Sequence, residues 1–322
     1  MANIRSFRNG DLPALARIWV QHWAAVDQSP PVSAAIIEQA LLSRTFFDFA
    51  SLTVAVHDGL GGTNEEVTEP SESIQAWSHY AADGLDATTA VVNAICFSPD
   101  GLHSCDQLLD ATEKRISEQG FRRIVVGSQR NEHSGYVGLP PLGHGIGVSA
   151  TDSRSSSLLS RHSYVSGQPA TRLVATTNPY RMPVSREGLQ LRRTTRLEKE
   201  VRFPEDARLA SAMAHLDIEQ HNLVNHRTGE LLASMAIWLS DPEAQVMDCS
   251  EAILDLGGIH DRSEATPAEF FLIGSIMQSL ANRRVFRAET SVDSDKSLLI
   301  DQLTKLNFQS LEQGQCWVKE LS

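Results

Sequence analysis

The sequence predicts an α/β protein in which a mixed sheet with helices on both sides is built twice. Residues 94–128, AICFSPDGLHSCDQLLDATEKRISEQGFRRIVVGS, read as strand, tight loop, amphipathic helix, strand. Residues 251–290, EAILDLGGIHDRSEATPAEFFLIGSIMQSLANRRVFRAET, repeat that order. The third observation is length: 322 residues suit two domains, each able to bury its own core.

Composition narrows the class of protein. Hydrophobic residues at 41% and charged residues at 21% are ordinary for a soluble globular chain. A net charge of −12 argues against nucleic acid or an anionic membrane as the main partner. Basic residues gather only locally, at Arg192, Arg193, Arg196 and Lys199. No run approaches the ~18 apolar residues of a membrane span. The opening MANIRSFRNGDLPALARIW lacks the apolar core of a signal peptide, so a cytoplasmic protein is expected. Cys96, Cys105, Cys249 and Cys316 show no paired spacing and read as four free, mostly buried thiols. The eleven histidines form no HExxH-like cluster, and no metal site is expected.

The elements follow in order. Residues 4–7 read as a short strand, and Asp11 as the cap of a helix with Pro13 in its first turn and Leu12, Leu15, Ile18 and Trp19 as its stripe. A second helix is predicted over 33–49. Strands at 52–57 and 74–81 flank a Gly-, Glu- and Ser-rich hairpin loop. Residues 88–97 are apolar on both faces, as a central strand should be. The helix that follows has a clean face of Cys105, Leu108, Leu109, Thr112 and Ile116, with Asp110 and Lys114 as an outer i,i+4 pair. Residues 130–151 are irregular, 153–162 read as a short helix, and 164–177 as a closing strand or hairpin. Asn178, Pro179 and Pro183 place a domain boundary at 182/183. Beyond it, strands are predicted at 189–201, 218–226, 230–239, 252–259 and 285–292, with 308–321 closing the sheet. Helices are predicted from Pro204 to near His215 and over 267–282 and 295–306. The 267–282 helix is apolar nearly all round, so its second face is expected against the other domain or a second chain, as in a homodimer.

This order resembles the GCN5-related N-acetyltransferase family taken twice. The resemblance rests on IRSFRNGDLPALARIW, on LLDATEKRISEQGFRRIVV, and on the late helices SSSLLSRHSYV and SLLIDQLTKLNF. The last two place Ser163-Tyr164 and Asn307-Phe308 where the family has Gly-Phe. It implies tandem acyl-CoA N-acyltransferase-like domains, 1–182 and 183–322, with acetyl-CoA as co-substrate and a small-molecule amine as acceptor.

In that family small residues before the long helix let backbone N–H groups approach a pyrophosphate. Both loops here are degenerate. The motif positions fall near Asp100, His103 and Cys105 in the first copy, and near Ser263, Thr266 and Ala268 in the second. The resemblance places cofactor contacts at Phe97, Leu102, His103 and Ser104, and at Ile259, Arg262, Thr266, Pro267 and Ala268. Ser104 to Gln107 and Thr266 to Glu269 both have the form of capping boxes, which would occupy the amides a phosphate needs. Residues 143–147, Gly-His-Gly-Ile-Gly, are a rival glycine-rich loop. Without strand and helix they read as a surface or substrate-side loop, able with Tyr136, Pro140 and Pro141 to line a cleft.

Acyl transfer to an amine needs a base, an oxyanion donor and an acid for the thiolate. Many family members use a tyrosine about four residues before Gly-Phe as that acid; here Leu159 and Leu303 stand there. Glu251 and Asp255, four apart on one strand face, are the candidate base, against the plainer reading of solvated strand ends. Asn93, and the pair His79 and Tyr80, are the polar candidates of the first copy. Two functions follow: an N-acyltransferase with at least one degenerate copy, or a non-catalytic tandem protein that binds a ligand or partner.

Overall fold

The computed structural model describes residues 2–26, 32–57, 73–127, 135–139, 141 and 145–321. The predicted hairpin loop after residue 57 and most of the 130–144 stretch lie outside them. The chain forms two compact units: residues 1–167 with 315–322, and residues 168–314.

The first unit contains β1 (Asn3–Ser6), α1 (Leu12–Ala24), α2 (Ala34–Ile37), β2 (Leu52–His57), β3 (Ser73–Ala82), β4 (Thr89–Phe97), α3 (Leu102–Glu118), β5 (Arg123–Val126), β6 (Val148–Ser149) and α4 (Ser153–Arg161). β7 (Val165–Thr176) passes into the second unit. That unit continues with α5 (Arg186–Thr194), β8 (Thr195–Val201), α6 (Ala207–Ala212), β9 (Leu216–Asn225), β10 (Leu231–Ser240), β11 (Glu251–Asp255), α7 (Pro267–Asn282), β12 (Arg287–Asp293), α8 (Ser297–Lys305) and the start of β13 (Gln309–Glu320), which returns to the first unit at residue 315.

Each unit is mainly an antiparallel sheet with one parallel pair. In the first, β1, β2, β3 and β4 are antiparallel neighbours, and β5 joins β4 in parallel through the crossover helix α3. In the second, β8, β9, β10 and β11 are antiparallel, and β12 joins β11 in parallel through α7. The closing strands are exchanged. β7 pairs with β12, from Ala170 opposite Asp293 to Thr176 opposite Arg287. The end of β13 pairs with β5, from Trp317 opposite Val126 to Glu320 opposite Arg123. The two sequence repeats therefore do not coincide with the two compact units.

Local chemistry explains most elements. α1 buries Leu15, Ile18, Trp19 and Trp23; Trp19 stacks on Trp77 at 5.8 Å. Asp11 does not cap it. Its carboxylate takes two hydrogen bonds from Arg5 (2.7 and 2.9 Å) and one from the Arg8 amide (2.7 Å). α3 buries all five residues of its predicted face, each fully. At ~1.5–3 kcal/mol per large apolar side chain, that stripe anchors the first core. The predicted Asp110–Lys114 pair does not form; Lys114 reaches Glu118 at 3.9 Å. The predicted second helix is shorter, Ala34–Ile37 followed by a π turn to Leu42.

The start of the second unit also differs. Residues 189–194, expected in a strand, belong to α5. Ser185 caps that helix, accepting from the Gly188 amide at 2.9 Å. The segment before it explains why α7 is apolar nearly all round. Leu272, Ile273, Ile276, Met277 and Leu280 lie in the unit's core. On another face Gly274 meets Met182, whose Cε would stand 2.9 Å from a Cβ there. Part of the second face of α7 is thus met by Met182, within the same compact unit.

Both late helices end alike. Ser163 (φ 64°) and Asn307 (φ 69°) adopt the left-handed conformation, and the next residues return bonds from the Tyr164 amide to Leu159 O and from the Phe308 amide to Leu303 O. Glycine is the usual residue there. Side chains at the two Gly-Phe positions therefore keep the geometry while departing from the motif.

Gly147, last of the glycine-rich run, has a packing role. At φ 78° its missing Cβ would stand 2.5 Å from Gln315 O and 2.6 Å from Gly127 O. Gly143 and His144, the first two residues of that rival loop, lie outside the described residues, as does Pro140. All four cysteines are free; Cys96 and Cys105 are buried, and burial pushes both thiols up.

Candidate active site

Each parallel strand pair opens before its C-terminal end. β11 matches β12 only from Glu251 opposite Arg287 to Ile253 opposite Glu289, although β12 runs on to Asp293. β4 matches β5 only over Thr89–Val92, while β4 continues to Phe97. Ligands of open α/β sheets sit beyond the carboxyl ends of such strands. In the second unit one bond spans the opening, from Thr290 Oγ1 to Leu254 O at 2.9 Å.

The second unit has a cavity of ≈ 1130 Å³ next to the loop between β11 and α7. Arg262, Thr266 and Pro267 line it, with Met182, Phe270 and Phe271 as apolar wall and Lys305 of α8 as a second cation. Ile259 and Ala268 are not on that wall: Ile259 is buried in the core and Ala268 packs against it. The acids Glu187, Asp261 and Glu264 also line the cavity.

The loop's amides are already engaged. The Glu269 amide donates to Thr266 Oγ1 (3.3 Å) and the Thr266 amide to Glu269 Oε2 (2.8 Å), the reciprocal pair of a capping box. The Ala265 amide donates to Gln302 Oε1 (2.7 Å), and Gln302 Nε2 returns a bond to Ala265 O (3.0 Å). Arg262 pairs with Glu269. Burial pushes the Glu269 carboxyl up, but hydrogen bonds from Arg262 and Thr266 outweigh it and hold the group below its ordinary value. An anion thus stands in the first turn of α7, where the helix dipole favours it.

The two candidate catalytic carboxylates are separated. Glu251 sits at the paired end of β11 and accepts from Arg287 Nη1 at 3.1 Å. Asp255 sits at the open end and accepts from the Gly257 amide at 2.9 Å. Four residues of strand put them ~13 Å apart. Leu159 and Leu303, at the tyrosine positions, are fully buried.

In the first unit the corresponding strand end is sealed. Phe97 is fully buried, and its amide donates to His22 Nδ1 at 3.4 Å. His22 Nε2 lies 3.2 Å from Asp152 Oδ2, both side chains 1% exposed. The Arg154 guanidinium lies over the Phe97 ring at 4.8 Å and donates to His22 O. The capping box expected at Ser104 does not form. α3 begins earlier, at Leu102, with Gly101 as N-cap and no side-chain cap; Leu102, His103 and Ser104 are its first turn. Gly101 permits this because a Cβ there would meet Gln75 O at 2.5 Å. Asp106 turns to Arg161 at 2.8 Å, and Gln107 accepts from the Ala2 amide. The buried polar pair is His79 with Tyr136, Nδ1 to hydroxyl 2.9 Å, not His79 with Tyr80. Tyr136 also stacks on Trp19 at 6.4 Å. Burial pushes His79 down to about 3, so the ring is neutral at physiological pH.

Sequence reasoning missed His22 and Asp152, 130 residues apart, and the cavity residues contributed by α5 and α8. None carries a local motif; Gln302 and Lys305 lie on one ordinary amphipathic helix.

No protein-family model and no curated protein matches the chain. Solved structures do. A GCN5-related glucosamine N-acetyltransferase region of a fungal multi-domain GH3 β-N-acetylglucosaminidase matches over 99% of this chain at TM-score 0.70 and 14% identity. This chain covers 38% of that one. A GCN5-related N-acetyltransferase from Sphaerobacter thermophilus matches at TM-score 0.62 and 13% identity, covering 99% of this chain and 95% of its own. A tandem GNAT protein from the clavulanic acid biosynthesis pathway, without AcCoA, matches at TM-score 0.62 and 13% identity, over 99% and 98%. At these identities the likeness shows the fold: a mixed α/β tandem GCN5-related N-acetyltransferase fold.

Proposed function

We propose that this tandem-fold chain is an acyl-CoA-dependent N-acyltransferase, with acetyl as the acyl group and a small-molecule amine as acceptor. The cofactor is held by the second unit. The observation that carries this reading is the ≈ 1130 Å³ cavity beside residues 261–267, the loop at which the resemblance puts acyl-CoA contacts. Arg262 and Lys305 supply positive charge there, and Met182, Phe270 and Phe271 an apolar wall. Bound acyl-CoA would supply the activated thioester. Asp255, at the open end of β11, is the better placed of the two carboxylates to take the amine proton.

A second reading, a non-catalytic ligand-binding protein, is favoured by the capped amides of Ala265, Thr266 and Glu269 and by buried leucines at both tyrosine positions.

Calorimetric titration with acetyl-CoA, coenzyme A and longer acyl-CoAs separates the two, followed by thiol release with a panel of amines. Glucosamine, named for the fungal neighbour, heads the panel. Binding with thiol release that Asp255→Asn lowers by ~10²-fold or more is expected. Binding without release for any amine supports the second reading. No binding at high micromolar concentration defeats the first. Binding that survives Thr266→Asp but not Gly145→Asp moves the site to the glycine-rich loop.

A further inference from the structure

The outer face of α3 carries three carboxylates at i, i+4 and i+7: Asp106, Asp110 and Glu113. α4 ends at Arg161 and delivers His162 onto that face. The His162 side chain is only 10% exposed. Its Nε2 lies 3.3 Å from Asp106 Oδ1. Its Nδ1 lies 3.4 Å from Asp110 Oδ1 and 3.7 Å from Glu113 Oε1.

With Asp106 accepting from Nε2–H, the neutral ring turns its Nδ1 lone pair toward two carboxylate oxygens. Glu113 Oε1 is buried, Lys319 binds the other oxygen at 2.6 Å, and the Tyr164 hydroxyl also faces this carboxylate. Three acceptor atoms thus lie within 4.8 Å of one another. Arg161 and Lys319 answer two of the three carboxylate charges, at Asp106 and Glu113, and Asp110 is left over.

We propose that Asp110, Glu113 and His162 Nδ1 form a binding site for a divalent transition-metal ion of the zinc type. The donor set, one imidazole and two carboxylates, suits zinc. Donors about 2.0–2.1 Å from a tetrahedral ion stand ~3.4 Å apart, close to the observed 3.4 and 3.7 Å. Asp106 is the carboxylate that orients the ligating histidine, an arrangement common behind metal-bound imidazoles. Asp110, 73% exposed, gives the ion a route in and leaves a position for water. The site lies on α3 and at the end of α4, apart from the β11–α7 loop, so it does not depend on the acyltransfer reading.

The test is zinc titration of the full chain by calorimetry at about pH 7.5, with cobalt substitution read by its visible absorption. One ion per chain is expected. Asp110→Asn, on an exposed side chain that should not affect folding, weakens binding at least ~10-fold, and His162→Ala abolishes it. Asp106→Asn weakens it ~10–100-fold by releasing the ring tautomer. Circular dichroism checks that each variant is folded. Zinc uptake unchanged in both Asp110→Asn and His162→Ala places the ion elsewhere and overturns the proposal. No uptake by the wild type also overturns it.

Discussion

Arg172 joins the exchanged strand β7 to the rest of the second unit, and removing it gives a quantitative test. Its Nη2 and Nε lie 2.6 and 3.2 Å from Glu289 Oε2 on β12, and its Nη1 lies 3.7 Å from Glu312 on β13. The three side chains are 8%, 4% and 10% exposed. At an effective dielectric of ~20, a contact of ~3 Å is worth roughly 5 kcal/mol of attraction, most of it offset by desolvation. Arg172→Met removes the buried cation that both carboxylates meet and leaves Glu289 the more distant Arg287, at 4.0 Å. The expected cost is ~3–5 kcal/mol, or on the order of 10 °C in Tm for a unit of this size. Urea denaturation followed by circular dichroism reads the stability, and hydrogen exchange of residues 170–176 locates the loss in β7. The paired replacement Arg172→Met with Glu289→Leu should recover part of it, because the carboxylate in closest contact leaves together with the cation while Glu312 keeps its charge. A loss below ~1 kcal/mol for Arg172→Met, or a double variant as unstable as the sum of the singles, would refute the reasoning.

Two further outcomes follow from packing and protonation. His79 is pushed down to about 3 by burial, so the unfolded chain binds its proton first, and stability is lost as pH falls from ~6.5 toward ~3. The His79 share of that loss is about 2 kcal/mol at about pH 5. His79→Gln, which can keep a hydrogen bond to Tyr136, should flatten the stability profile of the first unit between pH 6.5 and 4.5; an unchanged slope contradicts the assignment. Gly147→Ala, with backbone oxygens at 2.5 and 2.6 Å from the new Cβ, should cost clearly more than Gly120→Ala, where nothing stands within 4 Å. The control pays only the left-handed strain of roughly 1–2 kcal/mol, and equal costs in a thermal melt would show that the backbone around Gly147 yields freely.

Elements whose signal is local were legible. The α3 stripe was readable because 3.6-residue periodicity needs no partner, and the Thr266–Glu269 capping box because donor and acceptor lie three residues apart. The same pattern at Ser104 misled, because Gly101 starts α3 earlier and leaves Ser104 inside the first turn. Asp11 was read as a cap by position, but Arg5, six residues away, claims it. The 189–194 stretch is expected in a strand, while the Ser185 cap decides for helix. Of the candidate site, Arg262, Thr266 and Pro267 were found at the cavity; Gln302 and Lys305 were not, since their role depends on where α8 docks.

The sequence by itself determined most of the order of strands and helices, the two parallel crossovers, and the repetition of the plan. These follow from periodicity, capping and turn chemistry carried by neighbouring residues. Tertiary structure alone decided which sheet each closing strand enters. Residues 165–176 and 309–320 both read as strands, and nothing within either states its partner. The choice is made by long-range groups: Arg172 meeting Glu289, and Gly147 letting its backbone approach Gln315. Tertiary structure also decided that His22 and Asp152 seal Phe97 and that His162 faces the α3 carboxylates. Those encounters depend on how α1 and α4 pack, which no local pattern encodes.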